Sequence, residues 1–288
     1  MNKSLDIINR TYKPFKISKM NNCQILYTMD KTICLKESKI NYLELYTYLK
    51  SHNFSNIPKL IDNCRKNYII TEYIENIENN PEQKANELIK LVSLLHAKTS
   101  YFKEISPDKY KEIYEKIKNR AIYIKNIYNK KFDNAIKKEL YTPSEYLFLR
   151  NFSLINNACN YSLTKIEEWY SQIKDKTKER VALIHNNLSL NHFIKNDKDY
   201  LISWDKYTFD SPIIDLYKFY QKEWQYIPFK ELLIEYNKEF KLNDDEKKLL
   251  DILISLPYEI EGTKEINECR EYRKLINYLT KSSKIVIS

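Results

Sequence analysis

A single glycine, Gly262, in a chain of 288 residues is the most restrictive feature of this sequence. Walker-type and dinucleotide-binding loops need several glycines, because only a residue without Cβ lets the backbone close on a phosphate. Both classes are excluded in their usual form. Arginine is scarce as well: seven of the 48 basic residues are Arg, whereas base and phosphate recognition favours the guanidinium fork. The net charge of +9 therefore reads first as a solvated, lysine-rich surface, and nucleic acid is not the expected partner. Cys23, Cys34, Cys64, Cys159 and Cys269 are odd in number and make no C-x-x-C pair. That argues for reduced thiols rather than a disulfide framework or a zinc ribbon. No apolar run is long enough to cross a bilayer, and the opening MNKSLDIINR has no apolar signal core. The expectation is a cytoplasmic protein with no membrane partner.

What is present divides the chain in two. Gln24–Tyr27 and Thr32–Lys36 flank a turn at Met29-Asp30-Lys31 and read as a β-hairpin. Helical spacing through Leu45, Tyr48 and Leu49 predicts a helix over 42–51. Two more short strands follow, at 59–62 and 68–73, separated by a polar turn. Residues 1–75 thus read as a β-rich lobe with one helix, 76–80 as a linker, and 81–288 as a mainly helical lobe. Pro81 opens a helix with Leu88, Leu91, Val92 and Leu95 on one stripe. Further helices are expected from Ser106-Pro107, from the capping box Thr142-Pro143-Ser144-Glu145, and near Pro212 and Pro228. The box Asn243-Asp244-Asp245-Glu246 and the region of Thr263 predict the last two. The fold class expected is α+β.

The stretch 181–205 interrupts the helices. An apolar strand, Val181 to Ile184, leads into the polar loop His185-Asn186-Asn187-Leu188. His192-Phe193-Ile194 and Tyr200-Leu201-Ile202-Ser203-Trp204-Asp205 then form a hairpin, and Pro212-Ile213-Ile214-Asp215-Leu216 opens a helix with an acid in its first turn. This run resembles the aminoglycoside and choline phosphotransferase superfamily, whose fold is protein-kinase-like, and within it the spore-coat kinase-like proteins. There the order is His-Gly-Asp-Leu, an Asn with an apolar pair, Ile-Asp-Trp or Ile-Asp-Phe with a following acid, and Pro-x-x-Asp-Leu. By the same resemblance Lys36 takes the place of the lysine that touches nucleotide phosphates, with Glu44 as its ion-pair partner.

The resemblance also exposes departures. The family's general-base Asp falls at Asn187, an amide of the same shape that takes no proton at neutral pH. Its metal-binding Asn falls at His192, although magnesium prefers oxygen. The second metal-binding Asp falls at Ser203, with Asp205 two residues on and on the same face of an extended segment. His185 and Asp215 read as braces of the loop rather than as catalytic groups, and Trp204 as core. A zinc site on His185 and His192 lacks further ligands at fitting spacing.

Three functions follow, in order of preference. The first is a catalytically inactive kinase-like protein that keeps a ligand or nucleotide cleft and acts through a small molecule or protein partner. The second is an active ATP- and Mg2+-dependent phosphotransferase of hydroxyl groups, with a metal site rearranged around Asp205 and Asp210. The third is a lysine-rich binder of nucleic acid or of acidic surfaces.

Overall fold

The computed structural model describes residues 3–20, 23–38, 40–62, 68–106, 108–260 and 264–286. Gly262, Cys64, Pro107, Thr263 and the turn at 63–67 lie outside the described residues. A helix that the sequence reading missed, α1 (Lys3–Tyr12), precedes three antiparallel strands, β1 (Lys16–Met20), β2 (Cys23–Tyr27) and β3 (Thr32–Glu37). Next come α2 (Tyr42–Ser51), capped by the Asn41 side chain, and the strands β4 (Leu60–Asp62) and β5 (Tyr68–Glu72). The five strands form one sheet in the order β1-β2-β3-β5-β4.

Register sorts this sheet's side chains by face. Leu26 lies opposite Ile33, and Leu35 opposite Ile70; with Ile8 of α1 they close a small core. Cys23 lies opposite Lys36 and Ile25 opposite Cys34, so these four occupy the other face, which looks onto the second lobe. Alternation along β2 and β3 thus puts the apolar residues under α1 and leaves Lys36 available to the space between the lobes.

The second lobe begins with α3 (Pro81–Thr99), β6 (Tyr101–Glu104), α4 (Lys109–Ala135) and α5 (Pro143–Ile173). It continues through β7 (Lys178–Ile184), the short hairpin β8 (Phe193–Lys195) and β9 (Asp199–Leu201), and β10 (Thr208–Asp210). The helices α6 (Ile213–Glu223), α7 (Phe229–Glu239), α8 (Asp244–Ser255) and α9 (Glu265–Val286) complete it. The architecture is α+β, with a sheet-based first lobe and a mainly helical second one. Local chemistry sets the helix starts. Pro81 and Pro143 occupy first-turn positions where no N–H is needed, and Thr142 with Glu145 and Asn243 with Glu246 form complete capping boxes. Among the described residues no helix is long and apolar enough to cross a membrane.

One core runs through both lobes. Leu88, Leu91, Val92 and Leu95 of α3 are buried in it, together with Ile155 and Trp169 of α5 and Tyr42, Leu45, Leu49 and Ile69 from the first lobe. Backbone bonds reinforce the junction: Leu201 N donates to Asn56 O at 2.9 Å and Ile77 N to Lys195 O at 2.8 Å. The segment 74–80, free of regular structure, is thereby pinned to the β8–β9 hairpin.

Candidate functional site

β7 is buried along Val181–Ile184 and sits between β10 and β6 in a three-stranded sheet. Its end delivers His185 into the interior at 0% exposure. Nε2 of His185 lies 2.8 Å from the carbonyl of Ile202, an acceptor, so the imidazole proton is on Nε2. Nδ1 is buried without a hydrogen-bond partner. Burial pushes the His185 pKa down to about 4, against a raising effect from Asp215, so the ring is neutral at pH 7.

Asp215, in the first turn of α6 and fully buried, organises the loop. Its Oδ2 accepts from His185 N at 2.8 Å and its Oδ1 from Asn186 N at 2.6 Å. His96 of α3 adds a third contact, with Nε2 3.3 Å from Oδ2 and Nδ1 2.7 Å from the Tyr236 hydroxyl. Burial raises the Tyr236 pKa far above 10, so that hydroxyl donates to His96 Nδ1, and the His96 Nε2–H donates to Asp215. A buried carboxylate with donors on both oxygens is satisfied, and removing it would strand two backbone amides.

These bonds hold Asn186 at a φ of 62°, the left-handed region that Asn enters more readily than other non-glycine residues. The tip of the loop is then fixed from α6. Lys218 bonds Asn186 Oδ1, and the Lys222 ammonium donates to Asn187 Oδ1 at 2.7 Å and to Asn187 O at 3.1 Å. Residues 215, 218 and 222 share one stripe of α6, so a single helix face braces the whole loop. His192 leans on the same turn through Nδ1, 2.8 Å from the carbonyl of Asn187. Burial depresses the His192 pKa, and Lys222 and Lys36 add to the effect.

Across the junction, Lys36 of β3 forms an ion pair with Asp205. The Tyr42 hydroxyl donates to the other oxygen of Asp205 at 3.0 Å, and burial and the Asp205 charge raise its pKa well above 10. The expected Lys36–Glu44 pair is therefore corrected. Glu44 is exposed at the start of α2, where it accepts from Asn41 Nδ2 at 2.9 Å. It sits on the outer side of its helix, whereas Asp205 lies within reach of Lys36 from the opposite lobe. Ser203 has a φ of 65°, unfavourable for a serine, and the strained turn swings Trp204 into the core and Asp205 towards Lys36.

No protein-family model matches the sequence, and no curated protein is similar enough to match it. Solved structures do match. An aminoglycoside phosphotransferase from Alicyclobacillus acidocaldarius superposes with a TM-score of 0.66 at 9% identity, over 94% of this chain and 90% of that one. An AMP-bound spectinomycin phosphotransferase gives 0.54 at 13% identity over 98% and 92%. A choline kinase from Streptococcus pneumoniae gives 0.51 at 13% identity over 98% and 96%. The fold is kinase-like.

Within the kinase-like fold the donor set between the lobes does not fit a magnesium ion. Magnesium takes oxygen ligands, normally with one or two carboxylates among them. Here Asp205 is already held by Lys36 and Tyr42, the Asn187 amide oxygen is held by an ammonium, and Ser203 offers a neutral hydroxyl. Among the described residues no group of three His, Cys, Asp or Glu could hold a metal ion. Asp210 accepts from the neighbouring Ser211 N at 2.8 Å. Four contributors escaped the sequence reading: Tyr42, His96, Lys218 and Lys222. The i, i+3, i+7 spacing of Asp215, Lys218 and Lys222 was the one available signal for the last two.

Proposed function

We propose that this chain is a catalytically silent kinase-like protein, a pseudokinase that keeps a ligand or nucleotide cleft between its lobes and has lost phosphoryl transfer. The observation that carries this reading is Lys222 on Asn187. The motif order supports placing Asn187 at the general-base position, as does the positive φ of Asn186, where the related motif has glycine. At that position a transferase needs a carboxylate that accepts the hydroxyl proton of its substrate. Asn187 accepts none, and its amide oxygen is already bonded to a cation. Loss of a general base costs roughly 10²–10⁴ in rate. A missing metal-held charge removes further transition-state stabilisation.

Lys36 supports retention of an anionic ligand. Its ammonium sits on the face of the sheet turned towards the second lobe, paired to an Asp205 side chain that is 36% exposed and that a phosphate would replace. The same orientation of Asp205 is the one observation that favours the second reading, an active transferase. For that, a metal would have to take Asp205 from Lys36. A thermal-shift titration separates the two. The pseudokinase reading expects ATP to raise the melting temperature equally with and without magnesium, and Lys36→Ala to abolish the shift, since only a ligand of the native state stabilises it. A shift that requires magnesium would contradict it and favour catalysis.

A further inference from the structure

The helical lobe carries a half-open pocket of about 420 Å³ that takes no part in the site above. It lies among α4, α6, α9 and the segment after α8, and α6 separates it from the loop. Asp215, Lys218 and Lys222 point one stripe of that helix at Asn186 and Asn187. Tyr217, Gln221 and Trp224, spaced i, i+4 and i+7, line the cavity with the other stripe. The volume falls within the range of small-molecule pockets, about 300–1,000 Å³.

The lining selects a ligand class. Half-buried Tyr217 and Tyr258, backed by the buried Trp224 and Tyr278, give the pocket an aromatic lining, which favours a flat ring through offset or edge contacts. Aromatic walls by themselves would also accept an organic cation. Charge decides against that. Arg120 and Lys274 both line the cavity, and the Lys281 ammonium already lies 5.6 Å from the centre of the Trp224 ring. Lys274 forms no ion pair with any described residue, while Arg120 reaches Glu259 only at 4.0 Å. Glu259 and Glu271 are the acids nearby, the first facing Arg120 and the second adding to the burial that raises the Tyr258 pKa.

We propose that this cavity is a binding site for a planar aromatic anion, an aryl carboxylate or aryl phosphate, with its ring against the tyrosines and Trp224 and its charge on Arg120 and Lys274. The site is independent of the cleft and of whether nucleotide binds there. The test is a titration of the whole protein with 1-naphthoate, followed by tryptophan fluorescence, with neutral 1-naphthalenemethanol as the comparison. The expected result is saturable one-site binding, weakened about tenfold or more by Lys274→Gln or by the neutral analogue, as a lost charged contact implies. Arg120→Gln should do the same, and Lys36→Ala should leave binding unchanged. Each variant is first shown to melt like the parent. Equal affinity for the neutral analogue, no effect of the two cavity substitutions, or no saturation at millimolar naphthoate would overturn the proposal.

Discussion

At the scale of single residues, His185 shows how much depends on one proton. The ring is buried, donates from Nε2 to Ile202 O, and has a pKa lowered from 6.5 to about 4 by desolvation. The unfolded chain protonates this histidine below about pH 6.5, whereas the native state resists down to about 4. The unfolded state therefore binds more protons in that window, and stability falls as pH drops through it. Moving this group from 6.5 to about 4 corresponds to roughly 3 kcal/mol. Urea denaturation from pH 7 to pH 4 should show the parent losing about that much more stability than His185→Gln, which keeps a donor for Ile202 O without a titrating ring. Parallel curves would contradict the assignment. Not all of this scale was legible beforehand. His185, Asn187 and Asp215 stand in a contiguous motif, so sequence order exposed them. The Lys36–Asp205 pair joins residues far apart in the chain, on a strand of one lobe and a strained turn of the other. A common Glu one turn into the next helix gave no warning that Lys36 would choose a different acid.

At the scale of elements, helix starts were readable wherever a cap or a proline wrote them locally, as at Asn80-Pro81, Thr142-Pro143 and Asn243–Glu246. β6 and β10 were missed because neither has a buried residue, so no apolar alternation marks them in the sequence. The place of α1 is fixed by Ile8 closing on strands that follow it, a contact invisible to local pattern. α8 adds a charge that works against its own burial. Asp251 is pushed up to about 7 by desolvation, with Lys247 one turn away only partly opposing the shift. The native state then holds a proton that the unfolded chain sheds near pH 4, so this group lowers stability as pH rises from about 4 to 7, and the loss is complete above 7. Asp251→Asn should therefore be more stable than the parent at pH 8, with an advantage that shrinks towards pH 4.5. Urea midpoints at the two pH values check this. An advantage that does not change with pH would count against a shifted carboxyl.

Considered as a whole molecule, the chain keeps a two-lobed kinase-like frame with little sequence identity to the structures it matches. Burial patterns and backbone-directed contacts carry such a frame: the shared core, the hairpin pinned to 74–80, and Asp215 holding the loop amides. None of these needs the charged groups that phosphoryl transfer demands, so scaffold and chemistry can part company. At the two places where the motif would put a base and a metal ligand, Asn187 and Ser203 are neutral, and the nearby carboxylate of Asp205 is occupied by a lysine of the other lobe. The most direct test is ATP turnover by the purified protein with magnesium, read as release of inorganic phosphate in single-turnover conditions. The account predicts a rate indistinguishable from that of buffer. Magnesium-dependent release that disappears in Lys36→Ala would contradict it.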